Sequence, residues 1–250
     1  MFDCRAEPRP ATDPARQIRG VLFDLDGTLL DTLEDIAHAT NRSLAAGGFP
    51  THEVRAYRRF VGDGVRSLIR RALPEDQRDE GTITACLASF LDDYGRTWNV
   101  ATRPYPGIPE ALEALVARGL KLAILSNKPD ELTCLCVRDL LPRWRFDEVR
   151  GQRDGVPRKP DPASALEISR ALDLRPDEFL FVGDSPVDME TAVAAGMVPV
   201  GVLWGFRSED ELRTAGAWAL LHHPMGLIDL LVRKPDAHRL VTRPSPRTGP

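Results

Sequence analysis

The stretch Val21-Leu22-Phe23-Asp24-Leu25-Asp26-Gly27-Thr28-Leu29-Leu30-Asp31-Thr32 decides the fold of this chain. The apolar run from Gly20 to Phe23 predicts a buried strand of a parallel sheet, because such strands are apolar on both faces. Two carboxylates follow, two residues apart, and alternate residues of an extended chain point the same way. Asp24 and Asp26 should therefore lie together at the carboxyl end of the strand, where open α/β sheets bind their ligands.

The two carboxylates of this stretch need a counter-charge. Like charges this close repel each other unless a cation or a proton is shared between them, and oxygen ligands at a strand end suit Mg²⁺. Gly27 permits a turn that a side chain would block, and the Thr28 hydroxyl is expected to hydrogen-bond back to the loop backbone. The stretch thus predicts a magnesium site.

The chain divides into a core, a helical insertion and two tails. Residues 1–17 and 234–250 lack apolar periodicity, which predicts a disordered tail and a loose tail. Residues 32–102 carry only helical patterns, and we name this segment the cap. Residues 18–31 and 103–233 alternate strands with helices, the pattern of a parallel sheet. The predicted fold class is α/β, a Rossmann-like parallel sheet core flanked by helices, with a small inserted all-helical cap domain.

Hydrophobic periodicity, together with glycine and proline residues at the ends of the periodic segments, sets the predicted boundaries of the helices and strands. The predicted helices of the cap are Leu33–Ala46, His52–Phe60, Gly64–Leu73 and Thr84–Trp98. The strands predicted after the cap are Leu120–Leu125, Phe146–Val149, Phe179–Val182, Pro199–Leu203 and Trp218–Leu221. The helices predicted there are Ile108–Arg118, Asp130–Leu140, Ala163–Leu172, Met189–Ala195, Glu209–Thr214 and Met225–Leu231.

Several polar side chains near the predicted strand ends suit phosphoryl transfer. Asp24 is a candidate nucleophile, because carboxylates can form aspartyl-phosphate intermediates, and Asp26 can protonate a leaving oxygen and later activate water. Ser126 and the amide of Asn127 can hydrogen-bond phosphoryl oxygens. Lys159 precedes a helix and can neutralise both a phosphate and Asp24. The expected catalytic residues are Asp24, Asp26, Ser126 and Lys159.

A third strand end adds two more acids. Asp184 is a further carboxylate for Mg²⁺, and Asp188 lies four residues on, where it can hold the waters of the ion or orient Lys159. Three acids, a lysine and a hydroxyl from distant parts of the chain are thus expected to converge around one divalent ion.

The cap contains a glycine-rich turn, Gly62-Asp63-Gly64, before a predicted helix. Such a turn presents free amides at a helix N-terminus. It is either a simple helix–helix turn or a loop that leans over the active site, and in the second case Arg66 can reach an anionic substrate.

In this order and spacing, the motifs resemble those of the haloacid dehalogenase superfamily over about residues 19–232, and the cap resembles the small helical cap of that superfamily. More narrowly, the chain is similar to the phosphoglycolate phosphatase group. The strings that carry this likeness are Asp24-Leu25-Asp26-Gly27-Thr28-Leu29-Leu30-Asp31-Thr32, Gly62-Asp63-Gly64, Ser126-Asn127-Lys128-Pro129, Lys159-Pro160-Asp161-Pro162, Gly183-Asp184-Ser185 and Trp204-Gly205-Phe206.

The resemblance implies Mg²⁺-dependent hydrolysis of a small phosphate monoester, such as 2-phosphoglycolate, through a phospho-aspartate. It assigns Asp24 as the nucleophile and Asp26 as the acid and base. It assigns metal ligation to the Asp24 side chain, the Asp26 carbonyl and Asp184. The expected substrate-binding residues are Gly27, Thr28, Asn127, Gly62, Asp63, Gly64 and Arg66.

Other functions on the same fold stay open at this point. A sugar phosphomutase would need a paired histidine and cation in the cap, where His38 and His52 have no obvious cationic partner. Dehalogenase chemistry needs no acid at position 26, so Asp26 disfavours it. Nucleotidase or pyrophosphatase activity remains an alternative. A non-catalytic binding protein is the alternative from another class, since fold alone does not fix function.

The composition of the chain limits the classes of partner that it is expected to bind. The 250 residues include 33 basic and 37 acidic side chains, a net charge of −4, which provides no basic surface for nucleic acid or membrane. No apolar run approaches the roughly 18 residues of a membrane helix, and no secretory leader is visible. The four cysteines, Cys4, Cys86, Cys134 and Cys136, suggest reduced thiols in a cytoplasmic protein. The expected partner is a small phosphorylated metabolite, and the sequence leaves monomer and dimer open.

Overall fold

The computed structural model describes residues 18–232. The tails predicted at 1–17 and 234–250, and Cys4 with them, lie outside the described residues.

Strands and helices alternate along the described chain. The strands are β1 (Gly20–Phe23), β2 (Leu30–Asp31), β3 (Arg103–Pro104), β4 (Lys121–Pro129), β5 (Glu148–Gln152), β6 (Phe179–Gly183), β7 (Val198–Val202) and β8 (Ala219–Leu221). The α-helices are α1 (Leu33–Ala46), α2 (Val65–Ala72), α3 (Glu80–Thr97), α4 (Ile108–Ala117), α5 (Asp130–Leu140), α6 (Ala163–Ala171), α7 (Pro186–Ala195), α8 (Glu209–Thr214) and α9 (Gly226–Val232). Short 3₁₀ helices cover Val54–Arg59, Glu75–Gln77 and Pro176–Glu178.

The main sheet has six strands in the order β5-β4-β1-β6-β7-β8, and each neighbouring pair is parallel. β1 lies in the middle of this sheet, and all four of its residues are buried. Alternate residues of β1 pack on opposite faces: Val21 and Phe23 join one apolar cluster and Leu22 joins the other. Because both faces of a parallel sheet are covered, every residue of the run is apolar or glycine. The predicted α/β fold class is confirmed.

The cap joins the core through a small antiparallel ribbon that the sequence did not reveal. β2 pairs with β3, so the two chain crossings between core and cap lie side by side. Buried Asp35, in the first turn of α1, accepts hydrogen bonds from the Thr102 hydroxyl and from the backbone N–H groups of Ala101 and Thr102. Two-residue strands are too short to show periodicity, which is why the ribbon was missed.

Most predicted boundaries agree with the structure to within two residues. α3 and α7 begin four and three residues earlier than predicted, and three further differences stand out. The segment predicted as a helix over His52–Phe60 is a 3₁₀ helix at Val54–Arg59. β5 begins two residues later than predicted. β4 continues four residues past the predicted strand end at Leu125 to Pro129, because the segment after Leu125 stays extended and pairs again with β5 at Gln152. The extension carries Ser126, Asn127 and a lysine along the strand into the site.

No helix among residues 18–232 combines the length and the apolar composition needed to cross a membrane.

Candidate active site

The site lies at the carboxyl ends of three adjacent strands. Asp24 and Asp26 follow β1, Ser126 lies on the last part of β4, and Asp184 follows β6. The backbone N–H of Asp24 donates to Val182 O of β6 at 2.9 Å, which continues the pairing of the sheet into the site. Strand order alone therefore brings together groups that are 160 residues apart in sequence.

A buried cluster of carboxylates forms the floor of the site. Oxygens of Asp24, Asp184 and Asp188 lie within 4.8 Å of one another, and all three residues are buried. The Lys159 ammonium reaches into this cluster and lies 2.9 Å from Asp24 Oδ1 and 2.6 Å from Asp188 Oδ1. The convergence of Asp24, Asp184 and Lys159 that the sequence predicted is thus present.

Asp188 holds Lys159 in place. Its second oxygen, Oδ2, accepts hydrogen bonds from the Ser185 N–H at 3.0 Å and the Ser185 hydroxyl at 2.6 Å. Both carboxylate oxygens are therefore engaged by protein groups, and this geometry suits orientation of Lys159 better than direct binding of a metal.

The cluster is short of positive charge. Burial, followed by the negative charge of Asp188, raises the pKa of Asp24 to about 7 against the opposing effect of Lys159. Burial and the charges of Asp188 and Asp24 likewise raise the pKa of Asp184 well above its ordinary value. When all three carboxyls are ionised, the single ammonium leaves two negative charges uncompensated in a desolvated site. An all-oxygen donor set with this charge fits a divalent ion such as Mg²⁺.

Two glycines let separate loops close on Asp184. Gly27 has φ +84°, and a Cβ there would lie 2.3 Å from Asp184 Oδ2. A Cβ on Gly205 would lie 2.3 Å from Asp184 Cβ. The next residue, Phe206, donates its N–H to Asp184 Oδ2 at 2.7 Å. Neither position can carry a side chain without moving the Asp184 carboxylate.

The loop that holds Thr28 differs from the expectation in one detail. The Thr28 carbonyl accepts a hydrogen bond from Trp204 Nε1 at 3.0 Å, which ties the loop to the segment after β7. The buried Thr28 hydroxyl, however, has no hydrogen-bond partner among the described residues. The predicted bond from this hydroxyl back to the loop backbone is therefore wrong.

Lys128 is a buried site residue that the sequence analysis did not single out. Its Nζ lies 3.0 and 3.2 Å from the two carboxylate oxygens of Asp26 and 2.8 Å from the Tyr94 hydroxyl. Burial alone would lower the pKa of Lys128, but the charge of Asp26 and the contact with Tyr94 raise it overall. The available signal was a lysine only three residues after the predicted end of a buried strand at Leu125.

The Asn127 side chain links the Lys159 segment to the cap. Its Oδ1 accepts from the Lys159 N–H at 3.0 Å, and its Nδ2 lies 3.1 Å from both Lys159 O and Gly62 O. The neighbouring Ser126 hydroxyl lines the cavity and accepts from the Lys128 N–H at 3.3 Å. Asn127 thus connects three chain segments, while Ser126 lines the same cavity as Asp24 and Asp184.

The glycine-rich turn of the cap lies over the site. Three consecutive carbonyls, of Val61 just before the turn and of Gly62 and Asp63 within it, accept hydrogen bonds from core side chains. The donors are Arg207, Asn127 and Arg158, at 2.6, 3.1 and 3.0 Å. Arg58 of the cap donates in return to the Gly205 carbonyl of the core. The turn therefore leans over the site, as the second interpretation of the sequence required.

Two predicted substrate-binding side chains of the cap point to other partners. The Asp63 carboxylate pairs with Arg71 within the cap. Arg66 pairs with exposed Glu80, also within the cap, and does not line the cavity. The backbone of Gly62 and Gly64, by contrast, does line it.

Between core and cap lies a narrow cavity of about 40 Å³. Its core side is polar, and its cap side is formed mainly by apolar side chains. The cap residues Ile36, Val61, Val65, Leu68 and Phe90 and the core residues Asp24, Asp26, Ser126, Lys128 and Asp184 are among those that line it. Because one water needs about 10–15 Å³ by a comparable measure, the space suits only a small ligand group.

Comparison with known proteins gives a consistent result. The family model for haloacid dehalogenase-like hydrolases matches residues 21–202. The phosphoglycolate phosphatase of Rhodospirillum rubrum is 33% identical over 239 residues, which cover 93% of this chain and 99% of that protein. That of Mesorhizobium japonicum is 38% identical over 205 residues, covering 81% and 90%. The crystal structure of a predicted phosphoglycolate phosphatase from Haemophilus somnus 129pt has a TM-score of 0.79 at 26% identity and covers 86% of this chain and 98% of that one.

The chain therefore belongs to the haloacid dehalogenase-like hydrolases. Within that family it is a phosphatase, a hydrolase of phosphoric monoesters. The family resemblance noted in the sequence is confirmed.

Proposed function

We propose that this phosphatase is Mg²⁺-dependent and hydrolyses a small phosphate monoester, with 2-phosphoglycolate as the preferred candidate, through a phospho-aspartate on Asp24. The observation that carries the proposal is the buried pairing of Asp24 with Lys159 beside Asp184. A carboxylate held by an ammonium in a desolvated cavity is oriented for attack and protected from competing water.

The donor set supports a proposal for the metal ligands. The side chains of Asp24 and Asp184 and the carbonyl of Asp26 would hold Mg²⁺, while Asp188 is already bonded to Lys159 and Ser185. When bound, the ion supplies charge neutralisation between the carboxylates and a phosphate dianion.

The residues divide the first half-reaction between them. An Asp24 oxygen attacks phosphorus, and the bond from phosphorus to the leaving oxygen breaks with its electron pair going to that oxygen. Asp26 gives its proton to the same oxygen, so the alcohol leaves neutral. Lys159 and the Ser126 hydroxyl lie where they can stabilise charge on the transferred group.

In the second half-reaction, water attacks phosphorus of the phospho-aspartate. Asp26, now a carboxylate, takes the proton of that water, and the bond between phosphorus and the Asp24 oxygen breaks. Inorganic phosphate leaves and Asp24 returns to its starting state. Asp26 thus acts as acid and then as base at the same position.

We assign residues 32–102 the role of a cap domain over a core of residues 18–31 and 103–233. Its apolar side chains close the cavity, and the hydrogen bonds from Arg207, Asn127 and Arg158 hold its turn against the core. Closure excludes water from the first half-reaction, and opening admits it for the second.

Cavity size and the names of the relatives support 2-phosphoglycolate as the substrate. The space beside the carboxylates suits a small alcohol portion rather than a nucleoside. The curated relatives from Rhodospirillum rubrum and Mesorhizobium japonicum are phosphoglycolate phosphatases. We propose a soluble phosphorylated metabolite as the partner and the cytoplasm as the location, where the free thiols of Cys86, Cys134 and Cys136 would stay reduced.

One observation disfavours the phosphomutase alternative. Nε2 of His52 lies 2.7 Å from the Ala72 carbonyl, and its ring packs edge-on against Tyr57 and Phe60. This histidine is therefore engaged within the cap.

The test is a panel of phosphate monoesters assayed with Mg²⁺ and ranked by kcat/KM. The panel includes 2-phosphoglycolate, hexose phosphates, nucleoside monophosphates and p-nitrophenyl phosphate, together with pyrophosphate. We expect phosphate release from several esters and the highest kcat/KM for 2-phosphoglycolate. A best rate on a nucleotide or pyrophosphate would overturn the substrate assignment, and no release from any ester would overturn the activity.

A further inference from the structure

Lys128 is a buried ammonium at the junction of core and cap. It lies on β4, its side chain is 3% exposed, and it contacts only one acid, Asp26, among the described residues. Its other polar partner is the hydroxyl of Tyr94 on α3, so the contact crosses from the core to the cap.

The contact with Lys128 sets the direction in which the Asp26 carboxylate points. Both oxygens of Asp26 lie at nearly equal distances from Lys128 Nζ, 3.0 and 3.2 Å. Lys159 holds Asp24 from the other side of the site, at 2.9 Å. The two aspartates are thus held by separate lysines, and only the lysine on Asp26 also contacts the cap.

Tyr94 is itself well fixed. It is 1% exposed, and its ring stacks on Phe90 with centroids 5.1 Å apart. The Lys128 ammonium lies 4.7 Å from the Tyr94 ring centroid as well as within hydrogen-bond distance of its oxygen. A movement of α3 away from the core would remove this partner from Lys128 and leave the ammonium with Asp26 alone.

We propose that Lys128 is a positioning residue that orients the Asp26 carboxyl group toward the leaving oxygen. Because Tyr94 belongs to the cap, this orientation depends on the cap lying against the core. The inference rests on the proposed function and extends it to two residues that carry no assigned role. Lys128 acts through Asp26: when the bond between phosphorus and the leaving oxygen breaks, the proton passes from Asp26 to that oxygen, and the ammonium stabilises the carboxylate left behind.

The leaving group provides the test. An alkoxide leaves poorly without a proton, whereas p-nitrophenolate is stable enough to leave without one. If Asp26 loses its orientation, phosphoryl transfer from an alkyl ester should therefore slow far more than phosphoryl transfer from p-nitrophenyl phosphate. A residue that only supports the fold would change both rates by the same factor.

The experiment compares kcat/KM of Lys128→Met with the unmodified protein on glycerol 2-phosphate and on p-nitrophenyl phosphate, both with Mg²⁺. Because a positioned acid contributes about 10²–10⁴-fold, we expect the loss on glycerol 2-phosphate to exceed the loss on p-nitrophenyl phosphate by at least about tenfold. Lys128→Arg should restore part of the difference. Lys121→Met is the matched control, since Lys121 lies on the same strand but pairs with Asp147 at the surface.

A second variant covers the case in which Lys128→Met fails to fold, as judged by circular dichroism. Tyr94→Phe keeps the ring and removes only the hydroxyl that contacts Lys128. It should shift the ratio of the two rates in the same direction by roughly three- to tenfold, the equivalent of one modest hydrogen bond. Tyr57→Phe is its control, because that hydroxyl donates to Asn41 inside the cap.

The outcomes separate the inference from the function on which it rests. Equal losses on both esters in Lys128→Met, or no change of ratio in Tyr94→Phe when Lys128→Met does not fold, would overturn the inference while leaving the phosphatase intact. 2-Phosphoglycolate is assayed alongside the two esters, and a loss confined to it would show instead that Lys128 binds the substrate carboxylate, which would also overturn the inference. An unmodified protein that is inactive on every ester would overturn the proposed function, and the inference with it.

Discussion

The two walls of the active site are built in opposite ways. The core wall is charged, and both of its lysines are buried in ion pairs. It consists of Asp24, Asp26, Asp184, Asp188, Lys128 and Lys159. The cap wall is mainly apolar, and its glycine-rich turn is held to the core through backbone carbonyls. The core wall depends on the register of a parallel sheet. The cap wall depends on a few side chains that hydrogen-bond across the interface between core and cap, which we call the seam.

This difference gives the two walls separate roles: the core wall carries out the chemistry, and the cap wall controls access to the site. Removing one partner of a buried ion pair costs several kcal/mol because the other charge stays desolvated, so the core wall keeps one arrangement. Hydrogen bonds across a partly exposed seam contribute about 1 kcal/mol each, so a cap held by them can release and dock again. We therefore expect changes in the core wall to abolish turnover and changes in the cap wall to alter substrate binding.

The largest effect should come from the core residue that we propose as nucleophile. Asp24→Asn keeps the shape of the side chain but removes its capacity to form the phospho-enzyme, so kcat should fall by roughly 10⁴-fold or more. The measurement is phosphate release from p-nitrophenyl phosphate with Mg²⁺, with circular dichroism to confirm the fold. A variant that retained a tenth of the normal kcat would exclude Asp24 as the nucleophile.

The next effect concerns the stability of the core wall. Lys159→Met leaves Asp24 and Asp188 buried without their ammonium, and the free energy of unfolding of the metal-free protein should fall by roughly 3–5 kcal/mol. Urea denaturation measures this fall. Lys121→Met removes a surface lysine from a 3.1 Å pair with Asp147 and should cost less than about 1 kcal/mol. Equal losses in the two variants would contradict the comparison.

The pH dependence of stability should reveal the unbalanced charge of the same wall. The pKa of Asp24 rises from 3.8 to about 7 in the folded protein, mainly through burial, so the folded state holds a proton that the unfolded chain has released. Because the folded state binds more protons, the free energy of unfolding falls as pH rises from about 4 to about 7. In EDTA, we expect this carboxyl to lower Tm by roughly 5 °C or more over this range, measured as the difference between the unmodified protein and Asp24→Asn.

Two controls accompany this measurement. Saturating Mg²⁺ should raise Tm most at pH 7, where the carboxylates are ionised, and remove most of the decline. Asp24→Asn in EDTA should decline less than the unmodified protein, because one of the titrating groups is gone. A Tm that rose between pH 4 and pH 7 in EDTA, with no response to Mg²⁺ at pH 7, would contradict the metal site.

A smaller effect is expected from a core side chain that holds the cap in place. Arg207→Met removes the bonds to the carbonyls of Val61 and Arg58, so KM should rise by roughly three- to tenfold while kcat changes by less than about threefold. The control is Arg213→Met, which removes only a pair with Glu209 on α8. A large fall in kcat at unchanged KM would place Arg207 in the chemistry instead.

The smallest effect concerns Arg66, which the sequence analysis assigned to an anionic substrate. Its guanidinium pairs with exposed Glu80 and points away from the cavity, so Arg66→Ala should change kcat/KM by less than about twofold. Steady-state kinetics on 2-phosphoglycolate measures this change. A tenfold rise in KM would restore the assignment to the substrate.

The same contrast governs what the sequence could predict. The positions of Asp24 and Asp184 followed from strand ends and their order, because parallel strands deliver their carboxyl ends to one edge, whereas Lys159 was assigned from its charge and its place before a helix. The partners of Asp63 and Arg66 did not follow, because several arginines and acids of the cap compete for each other at the surface. Lys128 was missed because its place on β4 depends on pairing with β5 beyond an irregularity in the strand.

Some local errors had equally physical causes. The Thr28 hydroxyl could satisfy the loop in many conformations, and the one adopted uses the Thr28 carbonyl with Trp204, a residue that no local pattern connects to it. The ribbon of β2 and β3 is two residues long on each side and depends on Asp35 binding the returning chain at Ala101 and Thr102. Contacts of this kind appear only once the tertiary structure has formed.

The most direct test of the central claim is to trap the covalent intermediate. The protein would be mixed with substrate and Mg²⁺, quenched within a single turnover and reduced with borohydride, which converts a phospho-aspartate to homoserine. Peptide mass spectrometry should find homoserine at position 24, with none in Asp24→Asn. Homoserine at any other aspartate, or none at all from a protein that is turning over, would contradict the account.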